Sequence, residues 1–210
     1  MDILTDIALL SRIQFALTVA YHFIFVPLSI GLGLITAIFA TKYYRSRDEK
    51  DGAAVRLWVK IFTATFAIGV ATGITMEFSF GTNWADYSRF VGDIFGAPLA
   101  AEALFAFFLE SVFLGVLLFG RNKVSPKFYT VSAWLVWAGS LLSALWILIA
   151  NSWMQTPAGA ELAADGKKAI ITDFLAAAMN PSIAPRYFHV IVALLIIGAF
   201  TSLALGGWYL

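Results

Sequence analysis

The sequence APLAAEALFAFFLESVFLGVLLF, Ala97–Phe119, decides the fold class of this chain, because its only charged residues are Glu102 and Glu110. At roughly 1.5 Å per residue, a helix of this length crosses a hydrocarbon core of about 30 Å. Four other apolar runs of similar length lie at Phe15–Phe39, Lys60–Phe80, Val131–Trp153 and Phe188–Tyr209. The sequence therefore predicts an all-α fold, a polytopic transmembrane bundle of about five helices in which residues 1–210 form a single domain.

The composition excludes a soluble domain. Of the 210 residues, 60% are hydrophobic and 13% are charged, whereas soluble domains have roughly 45–50% apolar and about 25% charged residues. The net charge of +1 is too small to collect nucleic acid, and the basic residues lie in short loops. The chain has no cysteine, which excludes disulfides, thiolate metal sites and covalent haem attachment through a CxxCH motif.

The basic residues also predict the orientation in the membrane. The loop before the second span and the loop before the fourth span carry nine Lys and Arg residues, and the other segments carry five. Since positively charged loops stay in the cytoplasm, we expect the N-terminus to lie outside. The sequence stops within its last apolar run without a positive anchor. We therefore expect the N-terminal part of a truncated or split polypeptide.

Three shorter segments have their own predictions. The stretch Ile3–Ser11 is amphipathic and is expected to form a helix on the membrane surface. The polar stretch Gln155–Arg186 is expected to be an outer loop with one short interfacial helix over Ala169–Met179. The glycines of Gly69-x-x-x-Gly73 form a small-xxx-small pattern, which predicts close packing against another helix.

Ionisable residues inside the apolar spans are the candidates for function, because each costs at least about 2.5–3.5 kcal/mol to insert. The predicted topology brings four of them, His22, Glu77, Glu102 and His189, to the outer third of the membrane. Glu110 follows Glu102 by eight residues, which in an ideal α-helix is about 12 Å deeper and about 80° around the axis.

These residues leave several functions open. Each carboxyl group is suited to proton transfer, to ligand binding or to a hydrogen bond between helices. Each histidine is suited to an interhelical hydrogen bond or to a metal. A bare Zn or Cu ion needs three or four converging ligands, and two histidines with scattered glutamates on different spans offer few. Haem needs only one or two axial ligands, so this shortage of ligands favours haem over a bare metal ion. A haem-free proton channel or transporter and an inert assembly fragment also remain open. The aromatic residues expected to line a haem cavity are Phe15, Tyr21, Phe23, Phe25, Tyr187 and Phe188.

Long motifs carry a resemblance to a known family. The chain contains RIQFALTVAYHFIFVPLSIG at Arg12–Gly31 and GVATGITMEFSFGTNWADYSRFVGDIFGAPLAAEALFAFFLES at Gly69–Ser111. It also contains LSALWILIANSWMQTP at Leu142–Pro157, and an NP dipeptide followed by FH within Asn180–His189. Over almost its whole length the chain resembles subunit I of the cytochrome bd family of quinol oxidases.

The resemblance implies a terminal oxidase in a bacterial or archaeal cell (inner) membrane. Such an enzyme oxidises quinol near the outer face, reduces O2 to water and generates a proton gradient without pumping. The implied cofactors are a low-spin haem b, a high-spin haem b and haem d. The implied partners are membrane lipid, quinol, O2 and a second large membrane subunit, with a small single-helix subunit as a further candidate.

The resemblance also implies roles for individual residues. His22 in AYHF matches an axial ligand of a high-spin haem, either d or b, and His189 in YFHV matches a ligand of the low-spin haem b. Glu77 in TMEF matches an acid near the haems. Glu102 and Glu110 in AEALFAFFLES match the catalytic carboxylates beside the high-spin haems and on the proton route. Glu102 is also assigned to cofactor binding. Ser143 is a further member of the proton route.

Overall fold

Five membrane-length helices make up most of the structure, a computed structural model that describes residues 6–208. The expected helical fold with about five spans is confirmed. The first and second membrane helices are α1 (Ile7–Ser46) and α2 (Glu49–Gly81). The remaining elements, in chain order, are α3 (Ala85–Ala101), a π-helical segment (Glu102–Phe107), α4 (Phe108–Phe119), α5 (Pro126–Gln155), β1 (Ala160–Leu162), β2 (Ala169–Ile171), α6 (Phe174–Ala178) and α7 (Ile183–Trp208).

The helix ends follow local capping chemistry. The Asp6 side chain accepts a 3.0 Å hydrogen bond from the Leu9 amide and starts α1. Arg47 has a left-handed backbone with φ of 56° and ends the same helix. Ser125 caps α5 at the Phe128 amide, with a proline in the first turn. The Asp6 and Ser125 side chains thus satisfy backbone N–H groups that have no partner within the helix. The two helices therefore begin at these polar residues.

The predicted surface helix at Ile3–Ser11 is wrong in the part that the structure describes. Residues Ile7–Ser11 belong to α1, which continues through Phe15 into the membrane span, while residues 3–5 lie outside the described range. The segment contains no glycine or proline between Asp6 and Phe15. With no residue to break the helix, the amphipathic stretch is the first part of a single 40-residue helix.

The polar segment before α7 contains the expected short helix, but this helix covers only Phe174–Ala178. The start of the predicted helix is instead strand β2, which pairs antiparallel with β1 so that Ala160 faces Ile171. Gly166 has a φ of +67° in the connecting turn, a conformation that glycine adopts at little cost. The sequence prediction missed this hairpin because three-residue strands show almost no periodicity.

Small residues permit the closest helix contacts. A Cβ atom built on Gly31 of α1 would lie 2.7 Å from the Gly198 Cα atom of α7. Cβ atoms built on Gly69 and Gly73 would contact Val26 and His22 of α1, each at 3.3 Å. The small-xxx-small pattern of α2 therefore packs against α1, as predicted.

The two basic loops meet at one end of the bundle. Arg121, after α4, donates a 2.8 Å hydrogen bond to the Gly52 carbonyl of α2, and its guanidinium lies 5.0 Å from the centre of the Tyr43 ring. At the opposite end, the Asn83 amide donates a 2.9 Å hydrogen bond to Gln14. Positive charge is thus concentrated at the end of the bundle that holds the α1–α2 and α4–α5 loops.

Candidate functional site

His22 lies on the face of α1 that contacts α2. Its Nδ1 atom is 2.9 Å from the Thr72 hydroxyl, and its Cε1 atom lies next to Gly73. The glycine leaves space for the imidazole ring between the two helices. One ring nitrogen of His22 is therefore held by the protein, and among residues 6–208 no hydrogen bond occupies Nε2.

His189 lies at the depth of His22 but points in another direction. Consecutive membrane helices alternate in direction, so α1 and α7 are parallel, and they touch at Gly31 and Gly198. Each histidine precedes the glycine of its helix by nine residues. This spacing places it about 13 Å along the helix axis from the contact and on the opposite face of the helix, about 180° around the axis. His22 faces α2, whereas the His189 side chain is exposed. The two imidazoles accordingly point to different sides of the bundle.

Glu102 begins the π-helical segment and faces α5. The Ser143 hydroxyl donates a 2.6 Å hydrogen bond to the Glu102 Oε1 atom. The sequence prediction grouped Ser143 with the proton route, and in the structure its direct partner is Glu102. The pair provides a short link between a carboxyl group and a hydroxyl group, each of which is able to accept and donate a proton.

Glu110 is the most deeply buried of the candidate acids, with 5% of its surface exposed. Its Cγ atom lies against Gly139 of α5, where an added Cβ atom would be only 2.7 Å away. Ser140, the next residue, is also buried, and its hydroxyl donates a 3.3 Å hydrogen bond to the Val136 carbonyl. Gly139 therefore provides the space that the Glu110 side chain occupies.

The π-helical segment brings both acids to the same face, so the predicted separation of 80° around the axis is wrong. A π turn holds about one extra residue, which removes about 100° of rotation relative to an α-helix. Glu102 contacts Ser143 and Glu110 contacts Gly139. These two α5 residues are four apart, on one helix face and about 6 Å apart along the axis. The two carboxyl groups thus lie in succession along α5.

Glu77 lies on α2 one helical turn beyond Gly73, on the face that contacts His22. Its side chain is exposed. Glu77 therefore lies on the side of α2 that faces His22, whereas Glu102 and Glu110 contact α5.

The aromatic residues expected around the histidines are dispersed. Phe15 packs edge-on against Trp84, and Tyr21 packs against Phe25 with ring centres 5.1 Å apart. The Tyr187 hydroxyl donates a 3.1 Å hydrogen bond to the Leu141 carbonyl. The side chains of Phe23 and Phe188 are exposed. Within residues 6–208 these rings do not share a single cavity, because they lie on different faces of α1 and α7.

The donor set of the described residues suits haem better than a bare metal ion. Residues 6–208 contain no group of three or more His, Asp and Glu side chains able to hold a metal ion. Haem supplies four equatorial nitrogen ligands itself and needs only one or two axial ligands from the protein. A single histidine with a free Nε2 atom, as at His22, fits that requirement.

The chain matches the family model described as cytochrome bd terminal oxidase subunit I over residues 10–210. It belongs to this family. The match includes every candidate residue, from His22 to His189. As a member of the cytochrome bd subunit I family with five apolar helices, the chain is a multi-pass protein of the bacterial inner membrane.

Relatives and a solved structure agree with this assignment. The chain is 49% identical over 205 residues to cytochrome bd-II ubiquinol oxidase subunit 1 of Escherichia coli, and covers 40% of that protein and 98% of its own length. It is 47% identical over 191 residues to cytochrome bd ubiquinol oxidase subunit 1 of Bacillus subtilis, covering 91% of this chain and 40% of the relative. The bd oxidase of Geobacillus thermodenitrificans matches with a TM-score of 0.88 and 30% identity, over 96% of this chain and 46% of that one.

Several residues near the candidate acids and histidines were missed by the sequence analysis. They include Thr72, Gly139 and Ser140, which are common residue types in membrane helices and have no distinctive spacing. In the sequence Asn180 stands out only as part of the NP dipeptide, yet its buried side chain donates 3.0 Å hydrogen bonds to Ser152 and to the Ala177 carbonyl. These bonds connect the segment before α7 to the end of α5. The NP dipeptide was the available signal for this contact.

On the quinol oxidase function proposed below, we expect Gly139→Ala to lower quinol-driven O2 uptake roughly ten- to a hundredfold, because a displacement of about 1 Å at a reacting group has effects of this size. The new methyl group would lie 2.7 Å from the Glu110 Cγ atom and 3.4 Å from the Ala106 carbonyl oxygen. The measurement is oxygen consumption by the purified complex. Gly115→Ala is the matched control on α4, because its Cβ atom has no neighbour within 4 Å. Equal uptake by the two variants would contradict the placement of Glu110.

Proposed function

We propose that this chain is the N-terminal haem-binding and proton-conducting part of subunit I of a quinol oxidase that reduces O2 to water. The observation that carries the proposal is the succession of half-buried Glu102 and buried Glu110 along α5, together with His22 held through Nδ1 where α1 contacts α2. The chain spans about 40% of the length of the curated relatives that it matches. We therefore propose that further sequence supplies the rest of the enzyme.

His22 and His189 are the proposed iron ligands. In this proposal His22 holds a high-spin haem, either b or d, and His189 holds a low-spin haem b. When bound, the haems supply the electron transfer and the reduction of O2. The separation of the two imidazoles onto different sides of the bundle supports two haem positions. Glu77 and Glu102 are proposed to contribute carboxyl groups on the His22 side.

Glu110 and Glu102 are the proposed proton carriers, with Ser140 and Ser143 beside them. The α4 helix runs from Glu110 toward Arg121, so Glu110 lies nearer the basic end of the bundle and Glu102 lies farther from it. Protons are proposed to enter at the basic end and to pass Glu110 before Glu102. If quinol releases its protons at the other end, charge is separated across the membrane without a pump.

The proposed orientation has the N-terminus outside. Its support is the meeting of the two basic loops through Arg121 at one end of the bundle, because positively charged loops are retained in the cytoplasm. The proposed partners are lipid, quinol, O2, a second large subunit and a small single-helix subunit. A haem-free proton channel is the rival function, and membership of an oxidase family argues against it.

A reduced-minus-oxidised visible spectrum with pyridine haemochrome analysis tests the proposal. The sample is the complex purified in detergent with the polypeptides that accompany this chain. We expect bands of haem b and haem d, together with quinol-driven O2 uptake. A preparation that retains its helical circular dichroism but contains no haem would contradict the oxidase proposal and would make proton flux in vesicles the next measurement.

A further inference from the structure

We propose that Thr72 is a positioning residue that directs the Nε2 atom of His22 toward the haem iron. This inference rests on the proposed function, because it assigns His22 as an iron ligand. Thr72 lies on α2, and its Oγ1 atom is 2.9 Å from His22 Nδ1. Thr72 itself does not reach the iron in this proposal. It acts through the imidazole.

The direction of the hydrogen bond follows from the other contacts of Thr72. Its Oγ1 atom is 2.9 Å from the Ile68 carbonyl oxygen and 3.0 Å from the Gly69 carbonyl oxygen. A carbonyl oxygen only accepts hydrogen bonds, and a threonine hydroxyl has a single proton to donate. That proton is directed to the backbone of α2. The hydroxyl oxygen therefore accepts, and His22 Nδ1 is the donor.

The direction of this hydrogen bond sets the tautomer of the imidazole, because His22 Nδ1 lies 2.9 Å from a hydroxyl oxygen that accepts. A hydroxyl whose own proton is donated to a backbone carbonyl accepts only if Nδ1 carries a proton. A neutral imidazole with its proton on Nδ1 has its lone pair on Nε2. The tautomer that binds iron through Nε2 is thus selected before haem is bound.

The structure also holds the acceptor and the ring in place. The two backbone contacts of Thr72 restrict its side-chain rotamer. The ring packs against Gly73, where an added Cβ atom would lie 3.3 Å from His22 Cε1. A hydrogen bond from the far nitrogen of a ligating histidine orients the ring and makes it a stronger electron donor. Since donation favours ferric iron, loss of this bond is expected to raise the reduction potential.

The test compares Thr72→Val with Thr72→Ser in the complex purified from membranes. Valine keeps the shape of threonine but cannot accept a hydrogen bond, whereas serine keeps the hydroxyl. Thr75→Val is the matched control on α2, since Thr75 is exposed and bonds only to the Ala71 carbonyl. The readouts are haem content per complex and the midpoint potential of the high-spin haem assigned to His22.

For Thr72→Val we expect roughly tenfold weaker haem retention. We also expect the midpoint potential of the high-spin haem to rise by about 59 mV for each tenfold decrease in the site's affinity for ferric relative to ferrous haem. Thr72→Ser and Thr75→Val should match the original protein. If Thr72→Val does not assemble, Thr72→Ala replaces it, because a smaller side chain removes the acceptor without crowding α1.

Two outcomes separate this inference from the function on which it rests. An unchanged potential and unchanged haem content in the assembled variant without a hydroxyl would overturn the role of Thr72, and the oxidase proposal would stand. A potential changed equally in the serine variant would also overturn it, because the hydroxyl would then not be the cause. Absence of haem from the original complex would instead reject the proposed function.

Discussion

We expect the Glu110→Gln variant to lose quinol-driven O2 uptake by at least about 100-fold while its haem spectrum stays unchanged. Glutamine keeps the size of the side chain and fills the space beside Gly139, but it has no carboxyl proton to release. Glu110 is buried with 5% exposure, so bulk water does not readily replace it as a proton carrier. The loss should therefore appear in the rate and not in the assembly of the complex.

The measurement is oxygen consumption with excess quinol, alongside the reduced-minus-oxidised spectrum of the same sample. Glu161→Gln is the matched control, since it removes an equal charge from the exposed β1–β2 hairpin. Uptake by Glu110→Gln within about twofold of the control would remove this residue from the proposed proton route. Loss of the haem bands would instead assign Glu110 a structural role.

The second large effect is expected for His189→Ala, which should remove the low-spin haem b signal and spare the high-spin bands. Alanine offers no nitrogen to iron. The spared bands follow from geometry, because His22 faces α2 at the same depth while His189 is exposed on another side of the bundle. Without the low-spin haem, quinol-driven uptake should fall to background.

His22→Ala is the reciprocal variant, and it should remove the high-spin haem held by His22 while sparing the low-spin signal. Both spectra are recorded on purified complexes at equal protein concentration. An intact low-spin spectrum in His189→Ala would contradict its assignment as an iron ligand. Loss of all haem in both variants would contradict the separation of the two sites.

The sequence predicted the helical bundle well because membrane insertion depends on hydropathy summed over about 20 residues. It placed the central part of every span correctly, including the run that contains Glu102 and Glu110. It did not predict where α1 begins, since an amphipathic start joined to an apolar span looks like a separate surface helix. It also missed the β1–β2 hairpin, whose strands are too short to leave a period.

The candidate ionisable residues were predictable for the same reason that they are rare. A histidine or a glutamate inside an apolar span has a high insertion cost, so His22 and Glu110 stand out without any structure. Their neighbours do not stand out. Thr72, Gly139 and Ser140 are ordinary components of membrane helices, and their importance comes only from what lies opposite them.

By itself, the sequence determined the class of fold, the five membrane spans, the ionisable residues within them and the family resemblance. Each of these depends on local composition or on contiguous motifs. Only the tertiary structure decided that Glu102 and Glu110 share the α5 face and that Thr72 holds His22 Nδ1. The physical reason is that a π turn changes helix rotation without a clear local signal, and contacts between helices depend on rotation and depth together.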